Sequence, residues 1–173
     1  LSLRKGVVFH DGKPLTPADV VYSLLRHKDP ATSSKVAPVA SQFVSVTASG
    51  PNQVQIQLAS PNVDLPVILA ASQFLIIQDG TTDFLTAVGT GPYKLKEFLP
   101  GIRTIVVRHD NYWKPGRPYL DEIELIGIPD ESSRVNALLA GDVQLISAVD
   151  ARSTRRIRKS SNHDVLEVES SLF

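Results

Sequence analysis

The sequence predicts an α/β fold of the mixed α+β type, in which short helices and small antiparallel sheets follow one another along the chain. Two kinds of pattern support this class. Helix starts are marked by a capping residue followed by an apolar stripe, as at Thr16 and Asp130. Strands are marked by apolar residues at every second position, as in residues 44–48 and 54–58. No internal repeat is visible.

The composition is that of an ordinary globular protein, and it excludes several classes of function. Eighteen Lys and Arg residues balance eighteen Asp and Glu residues, so the chain has no net field that would attract nucleic acid or an anionic membrane. The absence of cysteine excludes disulfide frameworks, thiolate zinc sites and cysteine nucleophiles. The longest apolar runs are far shorter than the roughly 20 residues that span a bilayer.

Both ends of the sequence look cut. The chain opens on Leu1 without the charged and apolar regions of a signal peptide, and it ends at Phe173 in the middle of a strand pattern. We therefore expect an internal fragment of a longer protein.

The first 88 residues predict a small α+β domain. Residues 3–9 are expected to form a strand that ends in a tight turn at Asp11-Gly12. A helix with Thr16 as N-cap and Pro17 at its first position should run to Lys28. After an exposed loop, the expected elements are a short helix at 39–43, a hairpin at 44–58, a short helix at 62–71 and a buried strand at 74–77.

The chain changes character at residues 89–93, Gly-Thr-Gly-Pro-Tyr, after which regular elements follow one another closely. The predicted strands are residues 93–98, 103–108, 122–128, 143–146 and 165–168. The predicted helices are residues 130–140, which Asp130 caps and Gly141 ends, and residues 152–160. We place a domain boundary between residues 88 and 89.

Enzymatic chemistry has little support in the sequence. The four histidines, His10, His27, His109 and His163, lack metal-binding spacing and are expected at the surface. No Gly-x-Ser-x-Gly nucleophile elbow is present, and Gly89-Thr90-Gly91 lacks the lysine and the following helix of a phosphate loop. We predict no catalytic residue, no metal site and no cofactor.

A second hypothesis rests on the most basic segment of the chain. Arg152, Arg155, Arg156 and Lys159 are spaced to lie on one face of the predicted helix at 152–160. That face could serve a stand-alone interaction module that binds phosphates or a protein partner. Because the net charge is zero and no aromatic residues are interleaved, a solvated surface is the favoured interpretation.

Four segments, taken in order, resemble the family 5 extracellular solute-binding proteins of bacterial ABC transporters, which carry peptides, nickel complexes or sugars. They are LRKGVVFHDGKPLT (3–16) with ADVVYS (18–23), GTGPYKL (89–95), NYW (111–113) with YLD (119–121), and RVNALLAGDVQL (134–145). Most of these residues are turns and helix caps, so they identify a scaffold and leave the ligand open.

The resemblance implies a periplasmic-binding-protein-like fold in which two lobes close over the ligand. Residues 1–88 would form most of the family's extra small domain, and residues 89–173 an incomplete part of the first lobe. The implied function is the substrate-binding component of an ABC importer, which captures an oligopeptide or similar small solute and delivers it to the permease subunits. The implied location is the periplasm or the outer face of the cell membrane, with membrane contact only through the permease or an anchor outside this fragment.

Candidate ligand contacts lie in the loop at residues 29–42, because the resemblance places this stretch near the cleft and polar loops often carry recognition. We select Ser34 and Lys35 from this loop, together with Gln73. Tyr112, Trp113 and Tyr119 could instead form a stacking platform for ligand. The interpretation we favour is that these aromatic residues pack a proline-rich linker.

Overall fold

The computed structural model describes residues 1–167, and this range divides into two compact units. The first unit contains Leu1–Phe98 and Thr104–Glu124, and the second contains Leu99–Arg103 and the chain from Leu125 onward. Among the described residues, no helix has the length and apolar character needed to cross a bilayer. The predicted domain boundary between residues 88 and 89 concerns the domains of the whole protein and stays a prediction.

The chain forms five α-helices and five strands within its described part, with three short 3₁₀ turns between them. The helices are α1 Pro17–Leu25, α2 Ala37–Ala40, α3 Leu65–Leu69, α4 Glu131–Ala140 and α5 Ala151–Arg158. The strands are β1 Phe43–Gly50, β2 Gln53–Leu58, β3 Tyr93–Leu99, β4 Arg103–Arg108 and β5 Glu122–Ile126. The 3₁₀ turns are Arg26–Lys28, Pro30–Thr32 and Ser72–Phe74. The predicted mixed α/β class is confirmed.

Helix α1 begins where the sequence predicts, because Asp19 ties its first turn together. The Asp19 carboxylate accepts hydrogen bonds from the backbone N–H and the hydroxyl of Thr16, each at 2.7 Å. The buried face of the helix carries Val20 and Leu24, one turn apart. The α-helix ends at Leu25 and tightens into a 3₁₀ turn, short of the predicted end at Lys28.

The core of the first unit lies between α1 and the antiparallel hairpin of β1 and β2. Val46 pairs with Ile56 and Ala48 with Val54. Val46, Ile56 and Val54 pack into the core, whereas Ala48 is exposed. The buried members of this core are Val20, Leu24, Ala40, Phe43, Val46, Val54 and Phe74. The hairpin prediction is confirmed.

Several local predictions in the first unit are wrong. Residues 3–9 contain one isolated bridge, at Val8, and no strand, because Gly6 adopts a left-handed conformation with φ +73° that breaks an extended run. The helix predicted at 39–43 lies earlier, at Ala37–Ala40. Residues 74–77 form no strand; the Ile77 N–H donates instead to the Ser23 hydroxyl at 2.9 Å.

The second sheet has the strand order β3-β4-β5, and its strands agree with three of the predicted ones. The exception is the end of the third, where the strand stops at Ile126 instead of residue 128. A glycine is required just beyond, because a Cβ on Gly127 would lie 2.5 Å from the Gly101 carbonyl oxygen.

The second unit packs α4 against α5 around Val135, Leu138 and Ile157. Each helix has an aspartate N-cap: Asp130 accepts from the Ser133 N–H at 2.7 Å, and Asp150 accepts from the Ser153 N–H at 2.6 Å. The strand predicted at 143–146 is absent. Residues 165–167 are also not in a strand, and residue 168, the end of that prediction, lies outside the described residues.

Candidate functional site

The candidate ligand contacts lie on two neighbouring segments of the first unit. Ser34 and Lys35 follow the Pro30–Thr32 turn, which Asp29 caps by accepting the Ala31 N–H at 2.9 Å. Ser34 is half-buried and Lys35 is exposed. Gln73 is an exposed residue in the middle of the Ser72–Phe74 turn. Whether these side chains contact a ligand stays a prediction.

A buried histidine connects two of these three residues. His27 is only 4% exposed, and its Nδ1 lies 2.7 Å from the Ser34 hydroxyl. The same hydroxyl accepts the Val36 N–H at 3.2 Å, so Ser34 is held from two sides. The Phe74 ring makes an edge contact with the imidazole at 5.2 Å between centroids. His27 therefore sets the position of Ser34 beside the turn that carries Gln73.

The electrostatic surroundings of His27 favour its neutral form. Burial is the main cause that lowers the pKa of His27, and the positive charge of Arg26 acts in the same direction. The backbone of Gln73 opposes this shift. The Nε2 of His27 is a buried atom without a hydrogen-bond partner among the described residues. A neutral ring between Ser34 and Gln73 can orient the loop without adding charge to the candidate site.

The expectation that all four histidines lie at the surface is wrong. His27 and His109 are buried, and His10 and His163 are half-buried. The sequence did contain a signal for His27, because it follows Val20 and Leu24 at the spacing of an apolar helical stripe. For His109 the burial arises from contacts with distant residues, which periodicity does not reveal.

The burial of His27 predicts that stability falls with acid in the range where histidine titrates. Because the folded-state pKa of His27 lies below its ordinary value of 6.5, the unfolded chain binds more protons between those two values. The free energy of unfolding should therefore decrease as the pH falls below about 6.5, and His27→Gln should weaken this dependence. Denaturant titrations at a series of pH values from 8 to 5 measure the effect.

The titration of carboxylates contributes little to the pH dependence of unfolding between pH 8 and pH 5. Asp11, whose pKa is lowered mainly by the hydrogen bond from Gln78, loses its contribution only as the pH falls below its ordinary value of 3.8. An unchanged pH dependence of unfolding in the His27→Gln protein would contradict the prediction.

The aromatic residues of the 112–119 stretch do not behave as one set. Tyr112 and Trp113 are half-buried with ring centroids 5.2 Å apart, and the Arg4 guanidinium covers the Trp113 ring at 4.3 Å. These two residues pack as expected. Tyr119 is 69% exposed with Arg117 over its ring at 3.8 Å, so the packing interpretation is wrong for it.

Two surface cavities of the first unit lie elsewhere. One, of about 390 Å³, is lined by residues that include Tyr93, Tyr112 and Tyr119. The other, of about 280 Å³, is lined by residues that include Asp19 and Gln78. Ser34, Lys35 and Gln73 line neither cavity, whereas Tyr112 and Tyr119, two members of the alternative stacking platform, both line the first.

The basic face of α5 is present as predicted. Arg152, Arg155, Arg156 and Lys159 are all exposed, and Arg156 donates to the Asn136 side chain at 2.8 Å. Arg158, on another side of the helix, pairs with Glu167 at 2.5 Å. An exposed face of this kind fits a solvated surface.

The chain resembles a known family of proteins along almost its whole length. The model of the family described as "Bacterial extracellular solute-binding proteins, family 5 Middle" matches residues 1–172. The glutathione-binding protein GsiB of Escherichia coli (strain K12) is 27% identical over 172 residues, which are 96% of this chain and 34% of GsiB. The four sequence segments thus identified the correct family.

Solved structures agree with this result. The binding protein AgaA of A. tumefaciens R10, in complex with agropinic acid, has a TM-score of 0.86 and 32% identity over 93% of this chain and 34% of AgaA. NikA from Brucella suis, in complex with Fe(III)-EDTA, has a TM-score of 0.76 and 29% identity over 91% of this chain and 34% of NikA. The chain therefore spans about a third of the length of these relatives.

Proposed function

We propose that the whole protein containing this chain, which belongs to the bacterial extracellular solute-binding proteins of family 5, captures a small solute for an ABC importer. The observation that carries the proposal is the family match over residues 1–172. Capture would occur at the periplasmic or outer face of the cell membrane, with delivery to the permease subunits. The ligand would be bound by closure of two lobes, without covalent chemistry.

The relatives suggest the chemical class of the solute. Their names and structures describe glutathione, agropinic acid and Fe(III)-EDTA as bound molecules. Glutathione is a peptide, and all three molecules are small, polar and carry carboxylate groups. We therefore propose an oligopeptide or a similar small carboxylate-bearing solute, with Ser34, Lys35 and Gln73 on one wall of its site. Lys35 would supply a positive charge for a carboxylate.

Calorimetry on the whole protein tests the proposal with a panel of di- to pentapeptides, glutathione, an opine and a metal chelate. We expect saturable binding of at least one member, with a rise in melting temperature as the ligand concentration exceeds the Kd. The 173-residue chain alone should bind that ligand weakly, because it covers about a third of the relatives' length. Tight binding by the isolated chain, or no binding of any member by the whole protein, would contradict the proposal.

Alanine variants test the site within the same experiment. Ser34→Ala, Lys35→Ala and Gln73→Ala should each weaken binding by roughly threefold to tenfold, since each loses one polar contact. Ser41→Ala is the matched control, because its exposed hydroxyl lies on the same loop and donates to the Pro38 carbonyl at 2.7 Å. If the control variant loses as much affinity as the other three, the affinity depends on loop structure and these residues are not direct contacts.

A further inference from the structure

Two histidines that are distant in sequence meet on one carbonyl group in the first unit. The Nε2 of His10 and the Nδ1 of His109 each lie 3.1 Å from the Gly91 carbonyl oxygen. Their rings contact edge to face, with centroids 5.0 Å apart and an interplanar angle of 86°. His109 is 2% exposed, so the shared carbonyl lies at the edge of a buried site.

The hydrogen bonds around His10 define its protonation state. The Gly89 N–H donates to His10 Nδ1 at 3.2 Å, which requires that Nδ1 carry no proton. The ring proton of the neutral imidazole is therefore on Nε2, where it donates to Gly91. The His10 N–H also donates to the Gly89 carbonyl at 2.9 Å. Neutral His10 thus binds both glycines of the 89–91 segment.

Protonation of His10 is incompatible with this arrangement. An imidazolium has a hydrogen on each nitrogen, so its Nδ1–H would face the Gly89 N–H and that hydrogen bond would be lost. The charged and titratable groups that face His10 are His109, after β4, and Lys94 on β3, and both disfavour a positive charge. Burial is the largest cause that lowers the pKa of His10.

One nearby group would accept a hydrogen bond from a protonated Nδ1. The backbone of Ala87 favours the protonated ring, and Ala87 has a φ of +45°, which is unusual for a residue with a side chain. A hydrogen on Nδ1 can therefore exchange the Gly89 N–H for the Ala87 carbonyl. This exchange would alter the backbone between residues 87 and 91, directly before β3 begins.

We propose that His10, His109, Gly89 and Gly91 form an acid-sensitive latch, in which neutral His10 binds the Gly89 N–H through Nδ1 and protonated His10 releases that N–H. The hydrogen bond from the Gly89 N–H to His10 Nδ1 is the contact that changes. His109 keeps its bond to Gly91 in both states, and its backbone N–H donates to the Pro92 carbonyl at 2.9 Å. Release is therefore confined to the segment before Pro92. The latch does not depend on the identity of the transported solute.

Hydrogen exchange measured by mass spectrometry on the whole protein, from pH 8 to pH 5 with correction for intrinsic rates, tests the latch. The peptide that covers residues 87–91 should lose protection by roughly tenfold, the value expected for one hydrogen bond, with a midpoint below pH 6.5. In His10→Gln the exchange of this peptide should be independent of pH. His163→Gln is the matched control, since His163 also has both ring nitrogens bonded, to Ser160 and Leu138, and its loss should leave the transition intact.

Two results would overturn the proposal. One is a pH profile at residues 87–91 that is identical in the natural protein and in His10→Gln. The other does not depend on a variant that folds: ¹⁵N NMR of the histidine rings in the natural protein should show His10 as the Nε2–H tautomer at pH 8. Observation of the Nδ1–H tautomer, or of titration above 6.5, would exclude the latch.

Discussion

Replacement of Phe43 by alanine should lower the free energy of unfolding by about 3 to 5 kcal/mol, the range measured for large-to-small changes of a buried aromatic residue. Phe43 is 0% exposed and begins β1, where it packs in the core between α1 and the hairpin. Its ring lies 6.3 Å from the Phe74 ring, which in turn contacts His27. The cavity left by alanine would therefore also loosen the support of Ser34 and Gln73.

Val44→Ala is the control for this change, because Val44 is the next residue and is 56% exposed on the opposite face of the strand. It should cost less than about 1 kcal/mol. Chemical denaturation followed by far-UV circular dichroism measures both values. Equal costs for the two variants would show that the buried face of β1 is assigned to the wrong residues.

The substitution Asp19→Ala should cost about 2 to 4 kcal/mol, because it removes a buried carboxylate that satisfies three donors. One oxygen accepts the N–H and hydroxyl of Thr16 at 2.7 Å each, and the other accepts the Asp79 N–H at 2.8 Å. The variant would thus leave the start of α1 uncapped and also free the segment around Asp79. Thermal and denaturant unfolding measure the loss.

Asp29→Ala provides the matched comparison for Asp19. Asp29 caps a 3₁₀ turn by a single exposed hydrogen bond to the Ala31 N–H, so its loss should cost about 1 kcal/mol or less. Asp19→Asn should be intermediate, since its amide oxygen can still accept one donor while its NH₂ group faces another. If Asp19→Ala is no more costly than Asp29→Ala, the carboxylate does not join α1 to the Asp79 segment.

The candidate site illustrates what local sequence patterns can reveal about a binding surface. The polar loop at residues 29–42 and the family resemblance favour Ser34 and Lys35 as ligand contacts, and Gln73 is predicted together with them. Nothing in their spacing predicts that His27 would lie 2.7 Å from Ser34, or that the Ser72–Phe74 turn would pack on the same ring. The contact between His27 and Phe74 joins residues more than 40 positions apart, so no local pattern reports it.

Patterns of short range were sufficient for the fold class, the family, the caps of α1 and α4, and the hairpin of β1 and β2. Such features depend on hydrogen bonds and side-chain directions among residues that are a few positions apart. The residue types at those positions therefore predict them. The strands predicted from short apolar runs at residues 3–9, 74–77 and 143–146 are absent. Apolar character alone does not distinguish a strand from an irregular segment that distant residues hold in place.

The contact of His27 with Ser34, and the contacts of His109 and His10 with Gly91, required the three-dimensional arrangement. Each of these contacts joins residues between 7 and 81 positions apart, and each satisfies a polar group that burial would otherwise penalise. An isolated histidine is not part of a periodic pattern, so the sequence does not indicate which distant residue it contacts. The chemistry of the latch and of the candidate ligand wall therefore arises from packing, whereas the scaffold that supports them follows from local sequence.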